Sequence, residues 1–379
     1  MNNLLTKQNR NCSIDILRFI FCFYIVNYHF YSHFLKYYDS LNFFCRGYMG
    51  DEFFFMVTGF YFAKAGLSAK ESPIQWNFNQ LIKRIKKIAI PYYSIWLVCF
   101  ILTELKVVLI NIEGRTFLND LVNSVYELLF LDMAGFRKGL YVNDVAWFFS
   151  GTIISLFILG PFIAKFKEKF LLYVVPIISI FSYGLLCINF DYLHSPHAFI
   201  PNCFIHKGLV RAVAAICAGC FLFELTNNEI LKKSISSFIS KCQAIICILD
   251  VYAWVVIFLY MTLPFESNVE ELAVQYDYLI VILMFFAMIP VVFNAFEPAY
   301  GNKAAVIADK AAKYSFYAYF GQAVFYVVDI FVYSLDISIL AKALTINLAV
   351  PAISILLMFY SKLINKVALK KRSKENILI

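Results

Sequence analysis

Charge is what this chain has least of. Only 15% of its 379 residues are charged, where a soluble domain carries about 25%. Hydrophobic residues make up 61% and the mean hydropathy is +0.72. Those values exclude an ordinary soluble domain and mark an integral membrane protein. The length suits one polytopic bundle and leaves no room for a large soluble domain. Also missing is the small-residue cleavage site of a secretory leader. The first apolar run instead carries Arg18, so no cleavable signal peptide is expected. Repeats, low-complexity tracts and disordered linkers are absent too. The net charge of +8 follows the membrane pattern described below, so no nucleic-acid partner is expected.

Metal chemistry is similarly short of ligands. The ten cysteines lie mostly inside apolar runs, as at Cys22, Cys99, Cys187, Cys217 and Cys220, and read as small buried hydrophobes. Cys217 and Cys220 form a single CxxC with no second pair, which argues against zinc or redox use. His194 and His197 have ligand-like spacing, but Pro196 lies between them and no helix would hold both on one face. No metal is expected.

What is present is a series of apolar runs. A spanning helix needs about 20 such residues, and ten candidates occur, at 14–34, 51–67, 88–110, 145–164, 170–189, 207–225, 243–264, 275–297, 314–334 and 341–362. With the N-terminus inside, 23 of the 33 basic residues fall on the cytoplasmic side, as the positive-inside rule asks. The expectation is an all-α, polytopic membrane helix bundle of about ten transmembrane helices, both termini cytoplasmic. Residues 1–13 would be a cytoplasmic segment, 14–363 the membrane domain and 364–379 a basic cytoplasmic tail. "FLNDLVNSVYELLFLD", 117–132, has helical periodicity but too many polar residues to span, so it is expected to lie in the outer interface or to re-enter.

Three polar clusters interrupt the apolar pattern. In "RFIFCFYIVNYHF" Arg18 and His29 are eleven positions apart, about three helical turns, so they share one face about 16 Å apart. Asp15, Cys22, Ser32 and His33 extend the same face. A charged residue at mid-membrane costs about 2.5–3.5 kcal/mol on insertion scales, so such a seam should face protein or a water-filled cavity. The plainer alternative is that Arg18 snorkels to the inner interface beside Asp15. Next, "LIKRIKKIAIPYY" places Lys83, Arg84, Lys86 and Lys87 just before Pro91. These read either as an ordinary basic flank or as a site for a polyanion such as coenzyme A or an acidic headgroup. Finally, "GDEFFFMVTGFYF" opens with Asp51 and Glu52, and its Thr58-Gly59 step permits close helix approach. Glu52 is also placed to pair with His29 or His33 and raise its basicity, making a base suited to neutral pH.

Together these pieces resemble the acyltransferase 3 family of integral membrane acyltransferases, such as O-antigen and other polysaccharide O-acetylases. "ILRFIFCFYIVNYH" is similar to the family's opening helix through Arg18 and His29, and "GDEFFFMVTGF" to its second helix, with Glu52 in the acidic place. Arg84 and Lys87 before Pro91-Tyr92 resemble its R-x-x-R, "NDVAWFFSGTII" its tryptophan-led helix through Trp147, and "KGLVRAVAAICAGCFLFEL" its Arg-to-Gly helix through Arg211 and Gly219. Near the C-terminus "SFYAYFGQ" puts Gln322 where the family often has histidine.

The resemblance implies transfer of an acyl group, usually acetyl, from cytoplasmic acyl-CoA to a hydroxyl of an extracytoplasmic or lipid-linked glycan. The site would lie in a multi-pass protein of the cytoplasmic (inner) membrane. Arg84 and Lys87, helped by Lys83 and Lys86, would hold the CoA phosphates. His29 would be the base, Glu52 its orienter, and Arg18 would bind donor or stabilise charge. Some relatives carry a fused esterase-like domain; here a separate extracytoplasmic transferase is the expected partner if one is needed. His194, His197, His206, Tyr192, Phe199 and the 132–144 loop, with Asp132, Arg137, Asn143 and Asp144, are outer-face candidates for acceptor recognition. The alternative from another class is a polysaccharide or lipid-linked sugar transporter, with the polar seam as its path.

Overall fold

In hydrocarbon every backbone N–H and C=O must find its partner within the segment, so apolar runs become helices. The computed structural model, which describes residues 11–33, 43–110, 116–136, 141–263, 276–295, 302–324 and 338–375, is accordingly an all-α bundle. Helix α1 is Cys12–His33. A 3₁₀ turn, Gly47–Met49, leads into α2, Gly50–Leu67. Then come α3, Pro73–Ile110; α4, Phe117–Leu128; and α5, Ala146–Lys169. A π-helical turn, Phe170–Val174, joins α5 to α6, Val175–Asn189. The rest are α7, Lys207–Asn227; α8, Glu229–Lys241; α9, Gln243–Thr262; α10, Tyr276–Val292; α11, Asn302–Gly321; and α12, Ile339–Glu375.

Six helical stretches among the described residues are long and apolar enough to cross a membrane, one of them the joined Ala146–Asn189. Their outward surfaces carry Val108, Phe181, Ile188, Ile248 and Leu348 largely uncovered. Such a belt suits lipid and would be a liability in water.

Two elements depart from the sequence reading. Helix α3 begins at Pro73 rather than near 88, so the basic cluster rides on a helix instead of a loop. Helix α11 begins at Asn302, and residues 325–334 of the span expected there lie outside the described residues. Helix α4 reverses ordinary amphipathicity. Asp120, Ser124 and Glu127 are buried, while Phe117, Leu118, Val122 and Val125 are exposed. Buried Glu127 accepts the backbone N–H groups of Val142 and Asn143 at 2.9 and 3.1 Å, and its carbonyl accepts the Tyr92 hydroxyl at 2.7 Å. A helix with its polar face inward and its apolar face outward is built for lipid surroundings. The final helix runs through residue 364 to Glu375 without a break.

The centre is set by the contact of α2 with α7. A Cβ on Gly219 would lie 1.8 Å from the Met56 carbonyl oxygen, and one on Gly59 would lie 2.0 Å from that of Ile216. The missing side chains let the two backbones touch, and the Cys220 thiol donates to the Gly59 carbonyl at 3.4 Å. Helix α11 lies along α1, fastened where the Cys22 thiol donates to the Ser315 carbonyl at 3.3 Å. Gly219→Ala is therefore expected to destabilise the fold by about 1–3 kcal/mol, the usual cost of overpacking. Gly184→Ala, where a Cβ meets nothing within 4 Å, should leave stability unchanged or slightly raised. Thermal unfolding of the two variants in detergent compares them directly.

Candidate active site

The α2–α7 contact brings the first turn of α2 against the first turns of α5 and α7. There the fully buried Arg211 donates Nε to Glu52 Oε1 at 2.8 Å, and Nη2 to the Tyr48 carbonyl at 3.3 Å. Its guanidinium stands 5.2 Å from the Trp147 ring. The second oxygen of Glu52 accepts the hydroxyl of Tyr183 from α6. Both carboxylate oxygens are thereby engaged. This corrects the expected pairing of Glu52 with His29: the carboxylate is ion-paired with Arg211 at 2.8 Å, and each charge offsets the other's burial. His29 itself is buried, its ring 5.2 Å from that of Tyr28, which in turn lies 5.3 Å from Tyr48. His33 belongs to the last turn of α1, and its side chain lies outside the described residues, as does Arg137.

Toward the basic end the bundle opens into a cavity of about 780 Å³, within the size range of ligand sites. Lys86 and Lys87 from α3, Lys313 from α11 and Lys362 from α12 line it, with Arg18 on the α1 wall. Phe54, Phe148, Phe149 and Tyr319 line it as well. Arg18 keeps Asp15 at 3.2 Å and stands 5.6 Å from the Tyr61 ring. Lys313 is paired with Asp309 at 2.7 Å. Charged and aromatic side chains thus share one cavity, with Lys87 5.7 Å from the Phe316 ring.

Helix geometry divides the basic cluster of α3 between faces. Lys87 lines the cavity, as does Lys86. Arg84 turns away, its guanidinium 5.2 Å from the Phe62 ring, and Lys83 is exposed and does not line the cavity. Residues on a helix face one another at three or four positions, so a run of adjacent cations is divided between faces. The other lysines lining the cavity, Lys313 and Lys362, come from distant segments.

At the opposite end, Asp277 is buried and accepts three donors: the Tyr48 hydroxyl at 2.8 Å, the Tyr260 hydroxyl at 2.7 Å and the Leu193 N–H at 2.6 Å. It holds the 190–206 loop against α9 and α10. His194 and His197 diverge. The ring of His194 lies 5.8 Å from Tyr48 and 5.9 Å from Tyr192. Burial and the neighbouring Lys207 ammonium lower its pKa from the ordinary 6.5, so its imidazole is neutral at pH 7. His197 pairs with Asp144 at 2.9 Å, lies 3.9 Å from Asp132, and stacks on Tyr141 at 3.7 Å. Buried His206 donates Nδ1–H to the His197 carbonyl at 3.1 Å. Among the described residues no group of three or more His, Cys, Asp or Glu is arranged to hold a metal.

The chain is thus a helical bundle with a charged, partly aromatic cavity and, elsewhere in its interior, a buried histidine. The family model described as an acyltransferase domain, Acyl_transf_3, matches residues 11–363, and the chain belongs to that family. It is a membrane acyltransferase, and the transporter alternative is set aside. No curated protein and no solved structure matches the chain.

The sequence marked Glu52, Trp147 and Arg211 separately; the structure joins them in one cluster. Arg211→Met should leave the Glu52 charge buried and uncompensated, a loss of about 3–5 kcal/mol. Glu52→Gln combined with Arg211→Met should recover part of it. Unfolding midpoints of the two single variants and the double variant measure the coupling.

Proposed function

We propose that this acyltransferase moves an acyl group, acetyl in the simplest case, from cytoplasmic acyl-CoA to a hydroxyl of an extracytoplasmic or lipid-linked glycan, in a cytoplasmic membrane. One observation carries the reading: a single cavity is lined both by the cations Arg18, Lys86, Lys87, Lys313 and Lys362 and by the aromatic side chains Phe54, Phe148, Phe149 and Tyr319. That combination suits a donor with phosphates at one end and an uncharged pantetheine arm with a thioester at the other.

Lys86, Lys87, Lys313 and Lys362 would neutralise the phosphates as point charges, in place of the Arg84–Lys87 pair inferred from sequence. Arg18, part-way along the wall, would steady the arm or its carbonyl. His29 is the candidate general base. It takes the proton of the acceptor hydroxyl as the oxygen bonds to the thioester carbonyl carbon. The C–S bond then breaks, and the thiolate leaves with the proton from His29. Arg211–Glu52 acts by holding the first turn of α2 in place rather than by touching substrate.

For the acceptor, the opposite end offers the neutral His194 imidazole between Tyr48 and Tyr192, with Lys207 close by. Aromatic faces and mixed hydrogen-bonding groups suit a sugar. A separate extracytoplasmic transferase would be needed only if the acyl group must travel farther than the lipid-linked stage.

Membranes containing the protein, given radiolabelled acetyl-CoA, should incorporate label into host envelope glycan, and His29→Ala should not. Equal incorporation by the two defeats the reading. Lys87→Ala and Lys313→Ala are each expected to raise the donor KM about tenfold, as loss of a charge-assisted phosphate contact would. Arg84→Ala should change it by less than about threefold. The reverse order would return the phosphate site to the other face of α3.

A further inference from the structure

Ser315 and Tyr319 of α11 both line the cavity. Gln322, opening the 3₁₀ turn that ends α11, continues their stripe at the spacing of one helix face, one turn beyond Tyr319. It is completely buried, and neither its amide nitrogen nor its amide oxygen has a hydrogen-bond partner among the described residues. Native structures leave few such groups, and one that persists calls for a reason. A neighbouring orphan is Asp51, whose Oδ1 is also buried and unpartnered, one turn outward from cavity-lining Phe54 on α2. Of the two, only the amide donates a hydrogen bond without first taking up a proton.

Register places Gln322 level with the candidate base. The Cys22–Ser315 hydrogen bond pins α1 to α11, and the Phe19 ring lies 6.3 Å from Tyr314, so the two helices run in the same direction. Seven residues farther along each, nearly two whole turns or about 10 Å, are His29 and Gln322. Both return to the face they started from. They therefore lie at one depth.

We infer that the Gln322 amide is the oxyanion donor of the transfer step. This rests on the acyl-CoA reading above. As the acceptor oxygen bonds to the carbonyl carbon and His29 takes its proton, negative charge gathers on the carbonyl oxygen. The Gln322 Nε2–H donates to that oxygen, and the charge returns to carbon as the C–S bond breaks. A neutral donor buried in an apolar shell is effective because its dipole is oriented before the charge appears.

The test uses full-length protein with radiolabelled acetyl-CoA and host membrane glycan as acceptor. Gln322→Met keeps the volume and removes both polar atoms. It should lower kcat about 100-fold, the scale of losing one oxyanion donor, with the donor KM within about threefold. Because the amide has no partner to lose, the unfolding midpoint should stay level or rise. Gln322→His, which restores a donor, should recover at least about a tenth of the wild-type rate. If Gln322→Met transfers label at the wild-type rate, or loses activity only with a matching fall in unfolding midpoint, the inference is overturned while the acyl-CoA reading stands. If wild type transfers no more label than His29→Ala, the acyl-CoA reading fails, and this inference with it.

Discussion

The structure depends on one buried ion pair. Arg211 and Glu52 are both fully enclosed, and neither could stay charged there alone. Their pairing requires the first turns of α2 and α7 to meet, which in turn requires the two helices to touch farther along. Gly59 and Gly219 make that contact possible. Once α2 and α7 are joined, Trp147 brings the start of α5 onto the guanidinium, and Tyr183 brings α6 onto the carboxylate. Four helices are thus referred to one charge pair. The cavity beside them inherits its position.

That cavity shows how a membrane protein divides its polar groups. Five cations, Arg18, Lys86, Lys87, Lys313 and Lys362, share the cavity with aromatic rings. His29, Gln322 and Asp51 are polar groups buried outside its lining, where a hydrogen bond is strengthened by low dielectric. Helix α4 follows the same economy on the other side of the bundle, turning Asp120 and Glu127 inward and leaving its apolar residues to lipid.

Much of this was legible in the chain itself. The all-helical class followed from apolar run lengths, and the Thr58-Gly59 step correctly marked a close helix approach. The His29 and Arg18 face was visible because the spacing of eleven residues closes on whole turns. The basic cluster is visible in the sequence as a cluster, but not how a helix distributes it. Its residues belong to a helix that starts at Pro73, and Arg84 and Lys87 point to different surroundings. Glu52 stands out in the sequence as a partner that would raise the basicity of His29 or His33, whereas in the structure its partner is Arg211. The nearby histidines are close in sequence, whereas Arg211 is 159 residues away.

The sequence by itself determined what each segment must be, because backbone pairing in hydrocarbon leaves a helix as the answer and because periodicity is a local property. It also determined which side chains needed company, since a charge in an apolar run is conspicuous wherever the chain goes. Tertiary structure alone decided which company they received. Arg211 for Glu52, Lys313 and Lys362 beside Lys87, and Gln322 level with His29 are all joined by helix contacts between distant segments. Those contacts are set by shape and packing, which sequence spacing does not encode.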